Sequence, residues 1–286
     1  MARPPSRCNS LAVPNERVFT SAVLGPLVIA AVLLLPTSLI SVMLGTVGLL
    51  GAWEWSALAG WRNTTERLAY VGIAAVLMAL VIRCLSSWGN EGLLAIALGW
   101  WCIACASVVA YQLKKLELPH SPWLRGLAGL LTVIPSWGAM VSLHGSSDQG
   151  PYLLLFLVLL VWAADIGAYV VGRRFGRHRL ADRVSPGKTW EGVVGSLGGT
   201  ALVTGAGMSA LIPSHIVAWP FLVLCMLTGL VSIVGDLLES QFKRSAGVKD
   251  SGNLLPGHGG VLDRIDSLTA AAPFFVFGIM LLGIQL

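Results

Sequence analysis

The densest chemistry in the chain lies between Ser240 and Asp266, SQFKRSAGVKDSGNLLPGHGGVLDRID, a polar stretch between two long apolar runs. It holds three carboxylates (Asp250, Asp263, Asp266), four cations (Lys243, Arg244, Lys249, Arg264), His258 and five glycines, in a protein only 12% charged. Carboxylates can hold Mg²⁺, Lys and Arg can meet phosphate oxygens, and glycine lets backbone N–H groups come close, so the mixture suits a metal-bridged polyphosphate. A plain solvated loop between membrane helices would also carry Lys and Arg. That reading leaves out Asp236, Glu239 and Ser240, which end the preceding apolar run at i, i+3 and i+4 and so share one helical face.

Other polar residues interrupt apolar runs. Asp165 sits in Trp162–Tyr169 (WAADIGAY); a carboxylate inside a span is costly and usually faces a wet cavity or a partner. About one turn from the polar end of its run, it can reach the same cavity as Asp236. Glu54, between Trp53 and Trp55, reads rather as a structural partner, because nothing adjacent points to phosphate chemistry. In Ser185-Pro186-Gly187-Lys188-Thr189 a Ser N-cap and a Pro first residue predict a helix start whose free N–H groups would face a phosphate, with Lys188 and Thr189 adding a charge and a hydroxyl. It is no P-loop, because the earlier glycine of that motif would fall on Asp182. Arg173, Arg174, Arg177, His178, Arg179 and Arg183 form a basic loop that attraction to anionic headgroups explains. His258 fits a phosphate ligand, a general acid or a loop-stabilising hydrogen-bonder, and no Cys or second His stands at zinc spacing. The five cysteines lie mostly in apolar runs and indicate no disulfide framework; Cys102-x-x-Cys105 reads as packing.

Ser240, Lys243, Arg244, Lys249, Asp250, His258, Gly259, Gly260, Asp263, Arg264 and Asp266 together resemble the signature of the phosphatidate cytidylyltransferases, the CDP-diacylglycerol synthases. WAADIGAY and Ser185–Gly192 (SPGKTWEG) are similar to two further blocks of that family, the likeness being clear over about residues 160–270 and loose before, where Ala52–Trp55 (AWEW) is the most familiar piece. The resemblance implies CTP and phosphatidate as substrates, CDP-diacylglycerol and pyrophosphate as products, and Mg²⁺, as one or two cations, as cofactor. It implies Asp236, Asp250, Asp263 and Asp266 as metal-holding and catalytic residues, with Lys249 and His258 beside them. Ser185, Lys188, Thr189, Ser240, Lys243, Arg244, Arg264 and Asp165 are then the substrate-binding set. Another lipid–nucleotide reaction, such as a CTP-dependent lipid kinase, stays open, as does an ion-coupled transporter using Asp165 and Asp236. The transporter is disfavoured by the lack of an internal repeat and by polar residues gathered at one face.

The elements that must position these residues are membrane helices. Of 286 residues 55% are hydrophobic and the mean hydropathy is +0.77, values of an all-α polytopic membrane protein rather than a water-soluble one. At about 20 apolar residues per crossing, spans fall near residues 18–35, 38–58, 68–86, 92–112, 124–143, 151–171, 192–213, 216–238 and 268–286, about nine. The first reads as a retained span rather than a cleaved signal, and a tight turn at Pro36 separates it from the second. This divides the chain into a cytoplasmic tail (1–17), an N-terminal membrane region (18–145) and a catalytic membrane region (146–286) with motif loops 172–191 and 239–267. On that count every Lys and Arg except Arg83 lies on one side, which predicts a cytoplasmic N-terminus, a far-side C-terminus and a bacterial inner (plasma) membrane location. So one-sided a distribution assigns the net charge of +5 to topology and excludes nucleic acid as partner; the bilayer is the partner, and a homodimer is left open.

Overall fold

In a bilayer a chain can satisfy its backbone N–H and C=O groups only within helices or closed barrels, and each expected span coincides with a helix. The computed structural model describes residues 25–88, 90–115, 117–211, 218–252, 254 and 259–284. The helices are α1 (Gly25–Leu34), α2 (Thr37–Ala59), α3 (Thr64–Trp88), α4 (Glu91–Gln112), α5 (Pro122–His144), α6 (Gly150–Phe175), α7 (Trp190–Leu211), α8 (Ala218–Ser245) and α9 (Leu262–Leu281). Among the described residues seven of them, α2 to α6 with α8 and α9, are long and apolar enough to cross a membrane. The glycine-interrupted α7 and the ten described residues of α1 are outside that set, so seven of the nine expected crossings are shown among the described residues. The expected tail, the start of the first span and His258 lie outside the described residues.

Local rules explain the joints. Pro36, extended at φ −64° and ψ 155°, separates α1 from α2. Gly60 takes φ +110° to close α2, its N–H and that of Trp61 bonding back to Ala57 and Ser56 carbonyls (3.1 and 3.2 Å). Pro273 inside α9 can give no N–H to the Thr269 carbonyl, and the buried Ser136 hydroxyl of α5 donates to it instead.

α5 is the most enclosed helix, packed on α2, α3, α4, α6 and α9, while α6 lies along α7 and α8 along α9. Long-range bonds show which ends meet. At one end the Arg125 guanidinium at the start of α5 donates to Ser245 at the end of α8 (2.8 Å), and Arg183 donates to the Tyr111 carbonyl at the end of α4 (2.8 Å). At the other, His144 closing α5 pairs with Thr37 opening α2 (2.9 Å). An apolar core stands under each end, Trp55 against Phe242 (ring centroids 4.9 Å) near the first and Phe156, Phe221 and Phe275 near the second.

Two expectations change at the first, polar end. Ser185–Thr189 does not open a helix: it is strand β2, antiparallel to β1 (Arg179–Ala181), and α7 starts only at Trp190. The ladder runs on through Trp190 N–H to the His178 carbonyl (2.9 Å), and Thr189 is the cap, its hydroxyl accepting from Gly192 N–H (3.1 Å). The motif loop is also shorter than 239–267, because α8 continues to Ser245 and α9 begins at Leu262. Burial of Leu238, Gln241 and Phe242 and the Glu239–Lys243 pair one turn apart (3.2 Å) carry α8 past the point where hydropathy falls.

Candidate active site

Helical spacing on α8 places Asp236, Glu239, Ser240 and Lys243 along one stripe facing α9 and the hairpin. Gly235 makes the approach to α9 possible: a Cβ there would stand 2.4 Å from the Asp266 carbonyl oxygen, so the two backbones touch. Lys243 Nζ reaches Asp263 Oδ1 at 2.6 Å and Glu239 Oε1 at 3.2 Å. The other Asp263 oxygen accepts from the backbone N–H groups of Gly260 (2.8 Å) and Ser251 (3.1 Å). Asp263 thereby clamps the end of α8 and both limbs of the motif loop to the first turn of α9.

Deeper in, between α6, α8, α9 and the hairpin, is a second group. Lys188 Nζ, delivered by β2, lies 2.7 Å from Asp236 Oδ2, whose other oxygen accepts from Ser240 Oγ (3.2 Å). Asp266 Oδ1 accepts from Ser267 N–H (2.7 Å), and the Ser267 hydroxyl donates to Asp165 Oδ1 (3.4 Å). Asp266 is within electrostatic reach of Asp236, Asp165 and Lys188, and of Glu239 on the side toward Lys243. Among the described residues three carboxyl groups from three helices therefore stand around the Lys188 ammonium, with the buried Glu239 and Asp263 around that of Lys243. Among the described residues no three acidic, His or Cys side chains close on one point as a ready-made metal cage.

The loop is held from the N-terminal half of the chain. Glu54 at the end of α2 is 2% exposed, and its carboxylate accepts from Val261 N–H (2.9 Å), Leu262 N–H (2.8 Å) and Ser251 Oγ (2.9 Å). A carboxylate at the unpaired N–H groups of α9 satisfies donors that a helix start leaves open and complements the helix dipole. Gly252 and Gly260 are small because Glu54 is there: a Cβ on either would lie 2.4 Å from one of its oxygens. The structural role expected for Glu54 takes this specific form, a latch between α2 and the motif loop. Its partners stand some 200 residues away, so no local pattern could have named them.

The remaining expected residues are less gathered. Lys249 and Asp250 are exposed on the loop, with Asp250 beside Gly259, where a Cβ would come within 3.5 Å of its own. Arg244 donates to the Val184 carbonyl (3.3 Å), tying α8 to the hairpin, and Arg264 is exposed in the first turn of α9. Ser185 opens β2 and Thr189 ends it. Beside the hairpin Glu191 accepts from His178 Nδ1 (2.6 Å) and from the N–H groups of Arg177 and His178 (3.1 and 3.2 Å). Arranged this way, the site can offer oxygen ligands and positive charge to a polyanion at one face of a membrane bundle.

Comparison with known proteins finds similarity over nearly the whole chain. The model of the cytidylyltransferase family matches residues 15–282. A Pseudomonas aeruginosa protein called phosphatidate cytidylyltransferase is 43% identical over 264 residues, covering 91% of this chain and 95% of its own. A Haemophilus influenzae protein of the same name is 39% identical over 282 residues (92% and 97%). One from Staphylococcus saprophyticus is 42% identical over 214 residues (74% and 80%).

Proposed function

The chain belongs to the cytidylyltransferase family, and from that premise we propose that it transfers the cytidylyl group of CTP to phosphatidate, giving CDP-diacylglycerol and pyrophosphate. A phosphatidate oxygen attacks the α-phosphorus of CTP, a new P–O bond forms, and the bond from that phosphorus to the β-phosphate bridging oxygen breaks, releasing pyrophosphate. A phosphate monoester is already an anionic nucleophile. What the protein must supply is a place where two polyanions can approach and where charge on the leaving pyrophosphate is stabilised. The meeting of Asp165, Asp236 and Asp266 with Lys188 at the polar end of the bundle carries this reading.

The donor set fits a hard divalent cation, Mg²⁺. Its oxygens outnumber the cations present, and Mg²⁺ commonly takes only one or two carboxylates and completes its shell with water and phosphate oxygens. That is compatible with carboxylates that form no cage by themselves. Asp236 and Asp266, with Asp165 adjacent, would hold the ion, which when bound supplies neutralising charge to the polyphosphate. Lys188 then turns its ammonium from Asp236 toward a substrate phosphate. Asp263 holds Lys243 at the edge of the same space, and Lys249 and Arg264 stand at its mouth as phosphate contacts. Asp250 and the hydroxyl of Ser240 complete the polar lining. The acyl chains of phosphatidate remain in the lipid phase, and the polar end faces the cytoplasm, consistent with nearly all Lys and Arg lying there.

The test is synthesis of a lipid-soluble cytidine product from labelled CTP, phosphatidate and Mg²⁺ by the purified protein in detergent. Label from the α-phosphate is expected in the lipid and label from the γ-phosphate in pyrophosphate. Gamma label in the lipid would make the protein a lipid kinase and overturn the reading.

A further inference from the structure

An apolar groove of roughly 620 Å³ runs along the outer side of the α6–α7 pair, away from the polar cleft. Its floor is glycine. Gly167 and Gly195 meet so closely that a Cβ on Gly167 would stand 2.2 Å from the Gly195 carbonyl oxygen, and Gly199 meets the Ala163 carbonyl in the same way. With the backbones in contact, no side chain can fill the valley. Its walls are Ile166 and Val170 on α6 and Val194 and Leu202 on α7, each more than half exposed. At 3.6 residues per turn, Asp165 points from the opposite side of α6, where Ser267 bonds to it, so groove and cleft are separate spaces.

The polar mouth of the groove carries charge. Arg174 continues the Val170 stripe one turn further, and Arg177 follows in the loop; both are exposed, and neither has a carboxylate partner among the described residues. The carboxylate at the start of α7, Glu191, is taken up by the His178 ring and by the backbone N–H groups of Arg177 and His178. These contacts, the His178 bond first, hold its carboxyl well below the usual range, at about 2. Trp190, 58% exposed and one turn before Val194, flanks the mouth as an amphipathic aromatic does at the headgroup level. Apolar groove, tryptophan and the two exposed arginines follow one another in the order of acyl chain, glycerol region and phosphate in a lipid.

We propose that this groove is a site for an anionic phospholipid of the surrounding bilayer, one acyl chain lying on the glycine floor and the headgroup phosphate meeting Arg174 and Arg177. It is an accessory site, independent of the reaction proposed above. Charge complementarity decides the occupant: a second copy of this chain related by a two-fold axis would press one arginine cluster against the other, and a zwitterionic headgroup would leave the cations less fully answered.

The test uses the full chain in nanodiscs of phosphatidylcholine with phosphatidylglycerol, an anionic lipid that is not a substrate of the proposed reaction. Retained lipid is counted by native mass spectrometry after transfer to detergent. The wild type is expected to keep phosphatidylglycerol in preference to phosphatidylcholine. The double variant Arg174→Ala/Arg177→Ala should keep at least tenfold less. So should Gly198→Leu, whose side chain enters open space and fills the groove rather than disturbing the fold. CTP turnover in detergent with added phosphatidate should be unchanged in both variants, which separates loss of this site from failure of the proposed reaction. Equal retention by wild type and variants, or equal retention of the two lipids, would overturn the proposal. A change from dimer to monomer in Gly198→Leu would assign the groove to a second copy instead.

Discussion

Two groups of carboxylates at the polar end differ in how fully the protein answers their charge. At the loop, Glu54 is met by one hydroxyl and two backbone donors, and Asp263 by an ammonium and two backbone donors. In the cleft, among the described residues, Asp165, Asp236 and Asp266 have the Lys188 ammonium between them, with donors from Ser240 and Ser267. A buried carboxylate surrounded by donors fixes a shape, and replacing it leaves those donors unsatisfied. A carboxylate short of partners stores unfavourable charge that an arriving cation relieves. On the proposed reading the first group belongs to the architecture and the second to the chemistry, and each should respond to mutation in its own way.

The largest effect on turnover is expected in the cleft. Asp236→Asn or Asp266→Asn should lower cytidine incorporation into lipid by at least about 100-fold, the order of roughly 3 kcal/mol that a lost electrostatic contact to a transition state costs. Thermal unfolding in detergent should be unchanged or shifted upward, because like charges are removed. A variant that loses as much stability as activity would erase the contrast with the loop.

At the loop the effects should fall on stability as well. Both Glu54 oxygens only accept, so in Glu54→Gln the amide nitrogen must face an N–H or hydroxyl donor, and each unsatisfied buried donor costs about 1–3 kcal/mol. A lower melting temperature and faster proteolysis within 246–261 are expected, with turnover falling because α9 loses its anchor. A variant with unaltered melting and proteolysis would show the latch to be dispensable. Gly259→Ala should be milder. Its φ of +83° costs an L-residue about 1–2 kcal/mol, and its Cβ would press on Asp263 Oδ2 at 2.8 Å. Circular-dichroism melting of the two variants side by side gives the ranking.

This contrast was only partly legible in the chain. Hydropathy located the helices because apolar runs have few other options in lipid, and Pro36 marked its joint. The same signal stopped α8 near residue 238, since Glu239, Lys243 and Arg244 read as polar although the first two pair on the helix and Phe242 is buried beside them. Ser185-Pro186 has the composition of a helix cap, and only pairing with Arg179–Ala181 makes it a strand. Asp263 and Asp266 stood out in a dense cluster of charges, Asp236 by sharing a helical face with Glu239 and Ser240, and Asp165 because a carboxylate within a membrane span is costly. Glu54 was seen for the same reason as Asp165, but its task could not be, because the donors it satisfies are supplied by a distant loop.

The smallest effect is expected from the Arg179–Asp182 pair, and it tests whether charge alone matters. The pair is 3.4 Å apart, but the side chains are 61% and 63% exposed, so water screens both ions and neither has a buried donor to lose. Exposed pairs of this kind contribute about 0–1 kcal/mol. Arg179→Ala should therefore leave melting within experimental scatter and turnover within about twofold of the wild type, at a position only a few residues from Lys188. Lys188→Ala should abolish most turnover while moving the melting temperature little, because Asp236 keeps its Ser240 donor and its access to solvent. If the two alanine variants behaved alike, proximity to the hairpin would explain the loss, and the charge-deficient cleft would no longer be the feature that separates chemistry from architecture.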